Sequence, residues 1–580
     1  MGPRRAGRRF APDRVRLAIL GLGVILAWLG MGYRLLHVQV VEAAELREQG
    51  LDQRLVERVL APQRGRIYDR NGDLLAMAVE SETIYAVPGL VTEPVFIAQQ
   101  VGGLLGEDPD AILTRLESDK DFVYLKRQVD LDLAEEIRQL ELPGVFFEPE
   151  TTRSYPAGDV ASHVTGFVDI DGNGLEGLEL YYDDLLRGTP GRQIFEKSLS
   201  GTPIPQGRRE EIPAVPGSDL VTTIDIPLQY ATQDACADAL ETTGARECWA
   251  VVLEVETGNV LAMAGAPPFD PVSRSTSAGE AFSNAVVREP YEPGSIQKLI
   301  TVSAAIEEGV VGVDSWFGAV ADKIELRPGA CKSETDEVYG CYSDFDEHET
   351  RDMTVRDIFT ASSNVGIIRI AQKLPEGKLA EYLDIFGLTE PTGMDYSGET
   401  GGQLNLPAGC TICPLSAAIG YSISTTPIQM ASAFAAIGND GTWTQPQLVS
   451  SVIDVDGNEV DRAQETRSIV SPETARIMRE LLAGVVESGT GGSAAVDGYR
   501  VGGKTGTANK LGEGNTYTDI TRASFVGLAP IDDPKLVVAV MIDEPEWEYR
   551  TGGLAAGPVF SEVMKQALHR LGVTPDGLDG

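Results

Sequence analysis

Tyr291-Glu-Pro-Gly-Ser-Ile-Gln-Lys298 runs directly into Leu299-Ile-Thr-Val-Ser-Ala-Ala-Ile306. Proline and glycine suit the start of a helix, and the run that follows is too apolar for a surface helix. The helix therefore belongs in a core, with Ser295 and Lys298 in its first turn. Lysine is among the residues least often buried without a partner, so this placement points to a function. A serine and a lysine three apart share one helical face, where the amine can take the hydroxyl proton. Such a pair needs no histidine.

Two further motifs follow in order, Ser362-Ser-Asn364 and Lys504-Thr-Gly-Thr507. Each alone is what chance places on a solvated helix face, and together they describe a serine acyl-transfer site. Ser362 and Asn364 are expected in a loop between helices, and Lys504 to Thr507 in an edge strand forming the opposite wall. Nucleophile, base, proton relay and carboxylate clamp are then all supplied.

With these motifs the chain resembles the penicillin-binding proteins, specifically the class B monofunctional peptidoglycan D,D-transpeptidases. The resemblance covers nearly the whole chain. It extends to Arg64-Gly-Arg-Ile-Tyr-Asp-Arg-Asn-Gly72, to Arg153-Ser-Tyr-Pro-Ala-Gly158 with His163, Gly166 and Phe167, and to Gly174-Leu-Glu-Gly177 with Glu179 and Tyr181. Those stretches are similar to the non-catalytic pedestal of class B proteins. Thr223 to Gln229, Ala417 to Tyr421 and Ala523 to Pro530 add matches in the catalytic half. A β-lactamase shares the three motifs, but the needed region shows no Glu-x-x-x-Asn element and a pedestal would be superfluous. An idle scaffold is the other alternative, against which the intact Ser295, Lys298, Ser362 and Lys504 argue.

The resemblance implies an α/β transpeptidase domain of the penicillin-binding, serine β-lactamase-like kind, an extended α+β pedestal and one N-terminal transmembrane helix. It implies that Ser295 attacks the penultimate D-Ala carbonyl of a peptidoglycan stem, with Lys298 as base, and that β-lactams acylate the same serine. Ser362 would relay the proton, and Lys504 would help lower the pKa of Lys298. Asn364 would orient the substrate amide, Thr505 and Thr507 would bind the terminal carboxylate, and backbone N–H groups of Ser295 and Thr507 would hold the oxyanion. Gly506, with Gly502 and Gly503, fits a peptide lying along the strand, although glycines also mark ordinary strand-edge turns. No metal and no cofactor is implied.

Within class B, Ser362 to Asn364, Asp543-Glu-Pro545 and Gly552 to Phe560 look like the septal, FtsI-type enzymes rather than the elongation type. That resemblance implies an FtsW-like membrane-embedded glycan polymerase and other division proteins as partners, at the inner membrane with the catalytic domain outside the cytoplasm. The segment Cys331 to His348 departs from both types.

Composition agrees. A chain of 580 residues buries more than one core. Leu17 to Tyr33 is uncharged and mostly apolar, long enough to span a bilayer with help from Leu35, Leu36 and Val38. Six arginines and one aspartate precede it, a bias that keeps the N-terminus in the cytoplasm. A cleaved signal peptide is the alternative, but Tyr33-Arg-Leu-Leu-His37 is no small-residue cleavage site. The net charge of −39 rules against nucleic acid as a partner and describes a solvated acidic surface. Six cysteines, all after residue 235, permit disulfides outside the cytoplasm. Proximity suggests Cys331 with Cys341, Cys410 with Cys413 and Cys236 with Cys248, among fifteen possible pairings. A zinc site at Cys331, Cys341 and His348, and a redox pair at Cys410 and Cys413, are the alternatives.

The expected divisions are a basic tail over 1–16, an anchor over 17–38, a charged helix-prone stalk over 39–60, a pedestal over 61–215 and the catalytic domain over 216–575. Too few residues precede Arg64 to hold a glycosyltransferase domain. The stretch from Gly201 to Gly217 reads as a turn-rich hinge. Leu220 to Ile224 opens the catalytic domain, hairpins follow at Ala250–Met263 and Ala523–Ile542, and a helix closes it at Glu562–Leu571. Helices between the first and last strands imply an antiparallel sheet covered by helices, with the site between sheet and helical lobe.

Overall fold

The computed structural model describes residues 13–43, 45–46, 54–197, 204–273, 282–332, 340–407, 409–512 and 517–576. The basic tail to residue 12 and the stalk residues 47–53 lie outside them.

By its contacts the chain forms two units. The first combines residues 1–62 with 189–215. It begins with the helix Asp13–Leu36, which passes through a π-turn at His37–Val41. The 28-residue span Arg14–Val41 contains an 18-residue window of mean hydropathy 1.9 and is long and apolar enough to cross a membrane. The unit also holds a three-stranded antiparallel sheet of Leu55–Leu60, Gly191–Glu196 and Arg209–Ile212. Two expectations fail in this unit. The stalk reads as helix-prone as far as Leu60, but Leu55-Val-Glu-Arg-Val-Leu60 alternates between half-buried and exposed residues and pairs as a strand from Leu55↔Glu196 to Leu60↔Gly191. Part of the turn-rich hinge, Arg209–Ile212, is likewise a strand.

The second unit, residues 63–188 and 216–580, contains the two main sheets. In the first, the order runs Glu459–Asp461, Val449–Ile453, Asp219–Thr222, Ile67–Tyr68, Leu74–Ala86, Val123–Val129, and Val145–Ser154 also pairs with the long strand Leu74–Ala86. Ile67–Tyr68 lies parallel to Asp219–Thr222. Leu220 thus opens the catalytic half inside a sheet shared with pedestal strands rather than in a sheet of its own. At the far end of this sheet, Ile84, Val123 and Leu125 share a core with the helices Pro94–Leu105, Pro109–Leu116 and Leu131–Arg138.

The second sheet is antiparallel throughout, in the order Val260–Ala266, Glu247–Glu254, Leu536–Asp543, Tyr517–Ala529, Gly502–Leu511. Its central strands read as continuous apolar runs because both faces are covered. Ile226–Thr243 and Gly552–Arg570 pack on one face, and Lys298–Glu307, Pro427–Gly438 and Pro472–Ser488 fill the core on the other. Gly502–Leu511 is left as the free edge. Disulfides join Cys236 to Cys248, Cys331 to Cys341 and Cys410 to Cys413. The bridge between Cys331 and Cys341 removes the thiolates that a zinc site there would need, and no group of three or more metal-ligating side chains occurs among the described residues.

Arg64 and Glu179 are not a surface pair. Glu179 is fully buried and takes hydrogen bonds from Arg64 Nε at 2.7 Å and Arg153 Nε at 2.6 Å. Arg64 also donates to Asp183 at 2.7 Å and to the carbonyls of Gly172 and Glu179, and Arg153 donates to the carbonyl of Gly65. Asp69 is buried and accepts the amides of Asn71 and Asp73 in a turn, while the Arg70 amide donates to the carbonyl of Ile224. Removing one partner of a buried ion pair leaves an uncompensated charge and costs about 3–5 kcal/mol. Glu179→Ala, which strips Arg153 of its carboxylate partner and leaves Arg64 with Asp183 alone, should therefore lower the melting temperature sharply. A melting curve indistinguishable from that of the parent would contradict this role.

Candidate active site

Ser295 sits in a 3-10 turn, Gly294–Gln297, that feeds the helix Lys298–Glu307. In a 3-10 turn, residues three apart eclipse, so Ser295 and Lys298 keep a common face. Gly294 has φ +55°, and a Cβ there would stand 2.8 Å from the carbonyl oxygen of Thr507. Only glycine lets the turn approach the edge strand this closely. The same approach sets Ser295 beside Thr507.

Ser362 occupies the break between helices Val355–Thr360 and Asn364–Ala371. Both helices are tightly capped. Thr354 and Asp357 form a capping box, and the Ser363 hydroxyl accepts the amide of Gly366 at 2.9 Å. Ser362 itself has φ +57°, a conformation uncommon for a residue with a side chain. That conformation is held at both ends. Lys298 Nζ donates to its carbonyl at 2.6 Å and to its hydroxyl at 3.2 Å, and Lys504 Nζ donates to the same hydroxyl at 2.9 Å.

The two lysines are fully buried. Burial pushes the Lys504 amine down to about 7. Burial, and then the nearby charge of Lys504, pushes Lys298 well below its ordinary value, with Asp344 opposing. The neutral form of each amine is thereby favoured, that of Lys504 from about pH 7 upward. A neutral amine can accept a proton, and the shared Ser362 hydroxyl can pass one. One detail differs from the expectation that Lys298 serves Ser295 directly, because its hydrogen bonds go to Ser362.

Ser295, Ser362, Asn364, Thr505 and Thr507 all line a cleft of about 820 Å³, with the lysines beneath its floor. On the edge strand, Gly506 pairs with Ser524 and lies close against Ile296, where a Cβ would not fit. The Thr505 hydroxyl lies 2.9 Å from that of Thr490, and Thr507 accepts the amide of Gly552 at 3.2 Å. Asn364 donates to the carbonyl of Ser343 at 2.7 Å. Sequence reasoning missed several lining residues, including Thr490, Ser493, Asp344, His348, Trp547 and Arg550. The small residues of Ser488-Gly-Thr-Gly-Gly-Ser493 were the available signal for the first two.

Comparison with known proteins bears on what such a cleft does. Residues 248–565 match the penicillin binding protein transpeptidase domain, and residues 59–222 match the penicillin-binding protein dimerisation domain. The chain is a class B penicillin-binding protein. It is 34% identical to penicillin-binding protein PbpB of Mycolicibacterium smegmatis, over 97% of this chain and 90% of that one. It is 30% identical to peptidoglycan D,D-transpeptidase FtsI of Escherichia coli, over 97% and 93%. Among solved structures, penicillin binding protein 3 of Mycobacterium tuberculosis, complexed with aztreonam, superposes with a TM-score of 0.69 at 28% identity, covering 89% of this chain and 98% of that one. The class B protein described here is thus a serine-type peptidoglycan D,D-transpeptidase, with the α/β transpeptidase fold, a pedestal and one apolar N-terminal helix.

The lysine pair has a kinetic signature. A base must be neutral to act, so acylation by a penicillin should rise with pH along a limb well below the ordinary lysine value of 10.5. Lys504→Gln removes a like charge and should raise the pKa of Lys298, moving that limb to higher pH whatever it does to the plateau. A limb that stays in place or moves down would show that the two amines do not interact.

Proposed function

We propose that this protein cross-links peptidoglycan stems at the division septum by a double displacement at Ser295. The observation that carries the chemistry is the convergence of two buried amines on the Ser362 hydroxyl beside Ser295. Ser295 Oγ attacks the carbonyl of the penultimate D-Ala, and Lys298 takes its proton. The tetrahedral oxyanion rests on the backbone N–H groups of Ser295 and Thr507. Ser362, bridged to Lys298 and Lys504, returns the proton to the leaving D-Ala. A stem amine then displaces the serine by the reverse path. Thr505 and Thr507 receive the terminal carboxylate, Asn364 orients the stem amide, and Gly506 lets the donor lie along the free edge as an added strand. A β-lactam enters by the same route and stays as a stable acyl-enzyme.

The septal assignment is supported by the likeness to FtsI. In this reading the basic tail stays in the cytoplasm, the helix crosses the inner membrane, and the pedestal of residues 61–215 and the transpeptidase domain of residues 216–575 lie outside the cytoplasm. Tethering to the membrane raises the effective concentration of an FtsW-like polymerase, the source of the uncross-linked strand, and of other division proteins.

Intact-protein mass spectrometry after incubation with penicillin, followed by peptide mapping, tests the chemistry. One adduct should map to Ser295 and vanish in Ser295→Ala, and Lys298→Ala should slow its formation by about 10²- to 10⁴-fold. An undiminished adduct in Ser295→Ala would overturn the assignment of the nucleophile. Depletion in the host tests the septal role. Filaments with unclosed septa are expected, whereas round cells that still divide would assign the protein to elongation instead.

A further inference from the structure

Residues 341–348 form a clasp over the Ser362–Asn364 motif. Its strand Cys341–Ser343 is tied by the Cys331–Cys341 disulfide and offers the Ser343 carbonyl to Asn364 Nδ2 at 2.7 Å. The next residue, Asp344, accepts the amide of Val365 on its Oδ1 at 2.9 Å. Thus two consecutive residues of the clasp hold Asn364, the last residue of the motif, and Val365 immediately after it. Asp344 Oδ2 in turn lies 2.9 Å from His348 Nε2, and His348 Nδ1 lies 2.9 Å from the carbonyl oxygen of Glu349.

Both neighbours of the imidazole are acceptors. A neutral ring has a single N–H and can satisfy only one of them, so these surroundings select the imidazolium. The Glu349 carbonyl and the Asp344 carboxylate hold the proton above the ordinary histidine range, and Arg351 on the following strand opposes them. The first turn of the helix beginning at Asn364 contributes no ionisable side chain. Asp346, Asp519 and Arg550 line the same cleft. From the nucleophile helix, Lys298 feels Asp344, whose negative charge favours the ammonium. A charged His348 offsets that effect while fixing the carboxylate in place.

Resting on the acyl-transfer reading above, we propose that protonated His348 is a positioning residue for the transpeptidase reaction. It pins Asp344 against the Val365 amide, which keeps Ser362 and Asn364 aligned with Ser295. The sign follows from the contacts. The clasp is complete at pH values below the raised histidine value and loosens as pH rises through it. This dependence runs opposite to that of the lysine base, so a ratio of rates separates the two.

The test is the second-order rate of acylation by a fluorescent penicillin, measured on the full chain in detergent from about pH 5.5 to about pH 9, across the titration range of histidine. His348→Gln keeps a polar side chain without the charge, and His348→Arg keeps both the charge and a planar set of donors. At the acid end the glutamine variant should be slower than the parent by about tenfold or more, the loss expected when a reacting group is slightly misplaced. That gap should close toward the alkaline end. The arginine variant should match the parent in acid and outpace it in alkali. A parent-to-glutamine ratio that is the same at every pH, with or without a lower melting temperature, would overturn the proposal, as would an arginine variant no faster than glutamine. A parent protein that forms no adduct would overturn the acyl-transfer reading itself, and this inference with it.

Discussion

Two lysine amines are buried around one serine hydroxyl, and much of the surrounding structure keeps them there. Burial disfavours the charged form of each, and the charge of Lys504 further disfavours that of Lys298. A displacement of Lys504 from 10.5 to about 7 corresponds to roughly 5 kcal/mol of differential interaction between its two protonation states. Such a cost is tolerable only in a well-supported site. The sheet and helical core seal the amines from below, and Ser362 gives each a hydrogen-bond partner. Because the penalty falls on the protonated form, each amine gains neutral population at a pH well below 10.5, where a proton acceptor is useful.

The opening above this pair is shaped by backbone as much as by side chains. Gly294 brings the nucleophile turn against the carbonyl of Thr507, and Ser362 adopts a left-handed conformation stabilised by both lysines. The free edge Gly502–Leu511 provides unpaired backbone groups for an extended ligand. Thr490 and Gly552 orient the hydroxyls of Thr505 and Thr507, so the edge strand carries its polar groups into the cleft in fixed positions. Strand edge, nucleophile turn and helix break come from distant parts of the sequence.

Much of this is legible in the amino-acid sequence. Continuous apolar runs mark the central strands, and Asp532-Asp-Pro534 marks their hairpin. The spacing of Ser295, Lys298, Ser362, Asn364 and Lys504 to Thr507 names residues that the fold gathers at one cleft and its floor. Other features are hidden because they depend on partners remote in sequence. Leu55–Leu60 has an alternation too short to outweigh its charged neighbours, and becomes a strand by pairing with Gly191–Glu196. Asp219–Thr222 joins pedestal strands through Ile67–Tyr68, which no local pattern announces. Arg64 and Glu179 look like surface charges until Arg153 and Asp183 complete their cluster. The preference of Lys298 for Ser362 over Ser295 follows from the backbone of a single residue. The clasp of Ser343 and Asp344 has no periodicity at all.

The central claim is that the amines beneath the cleft are neutral enough to serve as bases near neutral pH. The most direct measurement is an NMR titration of the full chain with ¹³C at the lysine Cε positions, assigned by comparison with Lys298→Arg and Lys504→Arg. Two resonances should titrate far below the other lysines, Lys504 near 7 and Lys298 well below 10.5, and that of Lys298 should move up when Lys504 is replaced by an uncharged residue. Titration of both amines near 10.5, with the exposed lysines, would contradict the account.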